Sequence, residues 1–74
     1  MRIINQNRSA SIPLEMYNVF IPSAQHTVVL CELTQGGDTH TLGIYDDPQR
    51  AKEVFSEIMQ RLEHGDQVYY LPDR

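Results

Sequence analysis

The chain has 74 residues, a formal net charge of −4 and an isoelectric point near 5.1. These values exclude some classes of function but do not identify one. A chain of this length forms a single domain, residues 1–74, that buries roughly two thirds of its unfolded surface. Proteins that bind DNA or RNA gather Lys and Arg to displace phosphate counterions. Only six such residues are present and they are scattered, so we expect no DNA or RNA partner.

The cysteine count and the small size bear on stability and location. The single cysteine, Cys31, cannot form an internal disulfide, and no Cys/His cluster predicts a metal site. A domain this small is marginally stable alone, which favours a homo-oligomer, most simply a dimer. No apolar run reaches the length of a signal peptide or a transmembrane helix. We therefore expect a soluble cytoplasmic protein without membrane contact.

The first third of the chain predicts three short strands, near residues 2–5, 10–14 and 17–21. The first two flank a turn-rich stretch and predict a hairpin. Pro13 lacks the N–H that a strand ladder needs, so its strand is expected at an edge or to end there. Pro22 and Ser23 end the third strand.

The most strand-like segments, residues 26–34 and 39–45, flank Gly36 and Gly37 and predict a second hairpin. A turn centred on the glycines sets the register across the hairpin. The predicted pairs on one face are Leu33–His40, Cys31–Leu42 and Val29–Ile44. This mostly apolar face is expected to receive a helix.

Residues 47–65 predict that helix, spanning 48–64. Asp47 suits the N-cap, Pro48 the first helical position and Gly65 the left-handed residue that closes the helix. One apolar stripe follows the 3.6-residue period: Ala51, Val54, Phe55, Ile58, Met59 and Leu62. A last strand near 67–71 returns to the sheet. The predicted fold class is α+β, a mostly antiparallel sheet with one amphipathic helix packed on one face.

One helix covers only one face of the sheet. The opposite face of the second hairpin is predicted to carry Val28, Leu30, Glu32, Thr39, Thr41, Gly43 and Tyr45. An exposed apolar patch of this kind marks an interaction site. Alternatively, the N-terminal hairpin folds back over this face. Tyr69 to Leu71 in the last strand form a second candidate edge, because tyrosines are enriched in recognition surfaces.

No residue pattern predicts catalysis, a cofactor or a metal. The three histidines, His26, His40 and His64, lack the i, i+4 spacing of a metalloprotease helix. The adjacent Asp46 and Asp47 are explained by helix capping, and Cys31 lies in an apolar strand without a neighbouring base. We therefore predict that the protein is not an enzyme.

Three stretches share residues with a recognisable group of proteins: 1–6 (MRIINQ), 42–45 (LGIY) leading into 50–55 with Glu57 and Ile58, and 69–72 (YYLP). On these residues the chain resembles short uncharacterised proteins encoded by phages and prophages of Gram-positive bacteria. Longer members carry an insertion between the helix and the last strand. The resemblance implies no known activity, but it implies a bacterial host cell in which small phage accessory proteins often bind and block a host component.

Two functional hypotheses result. The leading one is a non-enzymatic phage or mobile-element binding protein that inhibits a component of host anti-phage defence by protein–protein contact. Its candidate interaction surface comprises Val28, Leu30, Glu32, Thr41, Tyr45, Tyr69 and Leu71. The alternative is a sponge that sequesters a nucleotide immune signal at an oligomer interface, with the cationic and aromatic residues Arg2, Arg8, Tyr45 and Arg74 as candidate ligand-binding groups.

Overall fold

The computed structural model describes all 74 residues and confirms the α+β fold class. The strands are β1 (Arg2–Ile4), β2 (Ser11–Pro13), β3 (Tyr17–Phe20), β4 (Val28–Leu33), β5 (Thr39–Ile44) and β6 (Val68–Tyr70), and the helix is α1 (Pro48–His64). A 3-10 turn, Leu14–Met16, joins β2 to β3. Each predicted strand contains an observed one, and the predicted helix has the observed bounds. No helix is long and apolar enough to cross a membrane.

The strands form two three-stranded sheets rather than the one sheet that the sequence predicts. The first has the order β2-β1-β6 and the second the order β3-β4-β5. All pairs are antiparallel except β1 with β6, which run parallel because the helix returns the chain in the direction of β1. The last strand therefore returns to the N-terminal hairpin and not to the central one.

The helix forms where its local signals place it. A side-chain oxygen of Asp47 accepts the N–H of Arg50 at 2.9 Å, and Gly65 adopts φ 80° while its N–H is bonded to carbonyls of the last turn. Ala51, Val54 and Ile58 on the predicted stripe are buried. Leu62 continues the same stripe but is 46% exposed, because it lies beyond the edge of the core.

The central hairpin has a different register from the predicted one. Cys31 pairs with His40 rather than Leu42, and a β-bulge at the Val29/Leu30 position leaves Leu42 as an extra residue in β5. The bulge reverses the side-chain alternation of β5 beyond Leu42. As a result Tyr45 turns inward and is 5% exposed, whereas Ile44 turns outward and is 61% exposed. The predicted facing of both residues is therefore wrong.

A single core joins both sheets to the helix. Its members come from every layer: Ile3, Ile12, Leu14, Val29, Cys31, Leu42, Tyr45, Ala51, Val54, Ile58, Tyr69 and Leu71. The N-terminal hairpin contributes Ile3 and Ile12 on the same side as the helix. It does not fold over the opposite side of the β3-β4-β5 sheet, and neither Phe20 nor Leu30 belongs to the core.

Candidate interaction surface

The side of the β3-β4-β5 sheet that faces away from the helix is here called the outer face. Cross-strand pairing places Phe20 beside Leu30, Leu30 beside Thr41, and Val28 beside Ile44 on this face. Paired residues of an antiparallel sheet project to the same side, so these side chains are contiguous. The remaining members are polar: Asn18, Glu32 and Thr39. Asn18, Glu32 and Thr39 lie in one cross-strand row, so the outer face is polar at this end of the sheet and apolar at the other.

The exposure of the outer face differs from residue to residue. Ile44 and Thr41 are exposed, Phe20, Leu30 and Glu32 are partly exposed, and Val28 is buried at the base of the patch. Glu32 is the only charged residue in the set. A face with one charge and four apolar side chains has the composition of an interface core rather than of an ordinary solvated surface.

Of the seven residues predicted for the interaction surface, four lie on the outer face: Val28, Leu30, Glu32 and Thr41. The other three belong to the core, so their side chains do not contribute an exposed surface. Tyr45 is turned inward by the bulge, whereas Tyr69 and Leu71 alternate inward from β6 and its continuation. The exposed aromatic residue of the last strand is Tyr70, over whose ring the Arg8 guanidinium lies at 5.2 Å.

Each buried tyrosine has a hydrogen-bond partner for its hydroxyl group. Tyr45 Oη donates to the carbonyl of Pro72 at 2.9 Å, and Tyr69 Oη donates to Glu57 Oε1 at 2.7 Å. Burial raises the pKa of Tyr45 to about 12. Burial, and then the hydrogen bond to Glu57, raise the pKa of Tyr69 as well. Both groups are held as neutral phenols that anchor the C-terminal segment to the core.

The shifted tyrosines predict a loss of stability at alkaline pH. Because the folded pKa lies above the unfolded value of about 10, the folded state binds these protons more tightly. The stabilisation is complete below about pH 10 and is lost as the pH rises through about 12 for Tyr45. Urea unfolding across this range should show a falling midpoint in the wild type and a smaller fall in Tyr45→Phe. An identical fall in both proteins would contradict the assignment.

Three of the four residues of the nucleotide hypothesis have their side-chain polar groups bonded within the fold, and Arg8 and Tyr45 bond to the adjacent carbonyls of Leu71 and Pro72. Arg2 Nε donates to Ser11 Oγ at 2.7 Å, Arg8 donates to the carbonyl of Leu71 at 2.7 Å, and Tyr45 is buried. A main-chain oxygen of the C-terminal Arg74 accepts from Arg50. The cavity beside Arg74 is lined by the carboxylates of Asp46, Asp47 and Glu53 and by the two arginines, so the three negative charges outnumber the two positive ones and disfavour an anionic ligand.

Gln6 has a role that the sequence did not predict. Its N–H donates to the carbonyl of Leu42 at 2.8 Å, and its side-chain amide bonds both the N–H and the carbonyl of Ile44. One residue thereby joins the two sheets and closes this part of the β5 edge. The turn signals around residues 5–9 gave no indication of a partner 38 positions away in the chain.

The histidines and the cysteine lie apart from one another. His26 contacts the carbonyl of Ser23 in its loop, the His40 ring lies tilted against that of Tyr17 with 5.8 Å between their centroids, and His64 lies in the last helical turn. Cys31 is buried, and burial raises its pKa. No group of three or more His, Cys, Asp and Glu side chains comes together to hold a metal ion.

Comparisons with protein-family models, with curated proteins and with solved structures found no match. The class of the protein is therefore defined by its fold and its surface alone. The protein is a small α+β domain whose helix and N-terminal hairpin lie on one side of a three-stranded sheet, while the outer face of that sheet remains exposed.

Proposed function

We propose that the protein is a non-enzymatic binding protein of a phage or mobile element, which inhibits a component of host anti-phage defence by protein–protein contact through the outer face. The supporting observation is the set Phe20, Leu30 and Ile44, which lies outside the core on the sheet face turned away from the helix. The phage context and the bacterial host cell come from the sequence resemblance described above.

The chemistry of the outer face favours a protein partner. The face carries one carboxylate, Glu32, two threonines and an apolar end, with no cationic residue to hold a phosphate. Exposed apolar patches of low charge are typical of surfaces that bury against another protein. We expect the partner to present a complementary apolar surface of low charge, with Ile44 as a principal contact because it is the most exposed apolar residue of the set.

A homo-oligomer, with a dimer favoured, is part of the proposal. Only 15 of 74 residues are buried in the single chain, which leaves a small core for independent stability. Association of two copies would bury further apolar surface without occupying the outer face.

The test is a pull-down from the producing or infected cell, followed by titration of the purified captured protein. Leu30→Glu and Ile44→Asp place a carboxylate in the apolar part of the outer face and should each weaken binding at least tenfold, about 1.4 kcal/mol. Gln60→Glu, on the solvent side of the helix, is the matched control and should bind like the wild type. Unchanged affinity of both outer-face variants would remove the proposed surface.

A further inference from the structure

The backbone of β3 has an edge that no other strand of the chain pairs. The N–H of Thr34 donates to the carbonyl of Met16 at 3.0 Å, which fixes the alternation of the β3–β4 ladder. Backbone groups of Asn18 therefore face β4, whereas those of Tyr17 and Val19 face away from it. The Tyr17 N–H donates to the Leu14 carbonyl in the 3-10 turn. The Val19 N–H and the carbonyls of Tyr17 and Val19 have no partner.

Two other strand edges are partly closed. Gln6 bonds to the outward groups of β5 at Leu42 and Ile44, whereas those of Thr39 and Thr41 stay unpaired. The β2 edge contains Pro13, which has no N–H, and the carbonyl of Ser11 accepts from the Arg2 guanidinium at 3.2 Å. Natural sheets protect their edges in such ways against unwanted pairing. The edge of β3 carries neither kind of protection, so it is open to pairing with another strand.

The β3 edge differs by its surroundings from the other open edges, which are β6 and the Thr39–Thr41 half of β5. The cavity beside β5 is lined mostly by polar residues. A groove of about 330 Å³ runs between β3 and the second half of the helix. Its apolar lining comes from Leu14, Tyr17, Val19, Met59 and Leu62. No cavity is lined by a residue of β6. An extended strand added at β3 would therefore gain both hydrogen bonds and apolar contact.

We infer that β3 pairs antiparallel with β3 of a second copy of this chain, across a twofold axis that passes beside Asn18. The Val19 N–H of each copy then donates to the Tyr17 carbonyl of the other. The two sheets become one six-stranded sheet, and the helices of both copies lie on the same side with Met59 and Leu62 near the junction. This dimer is the homo-oligomer of the proposed function, and it leaves the outer face free.

The edge is complementary to itself, which is why a second copy is the occupant. Each copy supplies one free donor, the Val19 N–H, and the twofold places it opposite a free acceptor. Asn18 meets its own counterpart at the axis, where a neutral amide can both donate and accept. Leu62 is 46% exposed and would be covered from both sides. An isologous interface of this kind closes at two copies and does not grow into a fibre.

Sedimentation equilibrium of the full chain tests the dimer through the residue on its axis. The wild type should reach twice the 8.6 kDa chain mass as its concentration rises. Asn18→Asp and Asn18→Lys each place like charges opposite one another and should raise the dimer Kd about tenfold. An equimolar mixture of the two variants should recover the wild-type Kd or a lower one as a heterodimer, a rescue that altered folding cannot produce.

Thr41→Asp and Thr41→Lys, on the outer face of β5, are the matched controls and should leave the dimer Kd unchanged. A second test is a chemically synthesised chain with N-methyl-Val19, which loses only the free donor and should be monomeric, while N-methyl-Thr41 should dimerise normally. A wild type that stays monomeric, or Asn18 variants that dimerise as tightly as the wild type, would overturn the inference. Leu30→Glu should still dimerise, so failure of the proposed partner contact is distinguishable from failure of this dimer.

Discussion

Replacing Gly43 with valine is expected to destabilise the protein by about 3 kcal/mol, from overpacking and a lost buried hydrogen bond. A Cβ at this position would lie 2.8 Å from Tyr45 Oη and 2.9 to 3.0 Å from two ring carbons. The Tyr45 ring cannot move freely, because it is buried and its hydroxyl donates to the Pro72 carbonyl. Urea unfolding followed by circular dichroism measures the change.

A double-mutant cycle with Tyr45→Ala provides the control for this prediction. Once the ring is removed, the added side chain at position 43 has no atom to displace, so Gly43→Val should cost much less in the Tyr45→Ala background. An equal cost of Gly43→Val in both backgrounds would show that the glycine is required for another reason. The inward packing of Tyr45 on Gly43 would then lose its support.

The helix could be predicted from the sequence because its determinants are local. Asp47, Pro48 and Gly65 specify the two ends, and the apolar period specifies the buried face; each signal lies within one or two turns of the residue it affects. The six strands were located for a similar reason, since alternation and turn residues act over a few positions. Element type and order therefore agree with the structure.

The arrangement of the strands could not be predicted in the same way. The parallel pairing of β1 with β6 joins residues more than 60 positions apart, and no local pattern distinguishes it from a return to the central hairpin. The bulge at Leu42 depends on a competition between two registers, one of which brings Tyr45 into the core. A large aromatic ring gains more from burial than Ile44 does, and Gln6 completes the hydrogen bonds of the shifted strand.

The residues of the candidate interaction surface were likewise placed correctly only where local signals sufficed. Val28, Leu30, Glu32 and Thr41 were placed correctly because they lie before the bulge or on the straight strand opposite it. Tyr45 and Ile44 exchanged faces because they lie beyond it. An exposed apolar face was predicted, but its most exposed apolar member, Ile44, was assigned to the core.

The inward position of Leu42 and the outward position of Ile44 predict very different losses of stability for two matched substitutions in β5. Leu42→Thr removes a side chain that is 1% exposed, leaves a cavity and buries a hydroxyl group, so it should cost about 3 kcal/mol. Ile44→Thr acts on a side chain that is 61% exposed and should change stability by less than about 0.5 kcal/mol. Threonine is used at both positions because it suits a strand, so that the comparison isolates burial.

The free energy of unfolding of these two variants, measured by urea denaturation beside the wild type, tests the exposed outer face most directly. A large loss for Leu42→Thr with a wild-type value for Ile44→Thr is the predicted result. Comparable losses for both variants would place Ile44 in the core, and the apolar surface on which the proposed function depends would lack its most exposed residue.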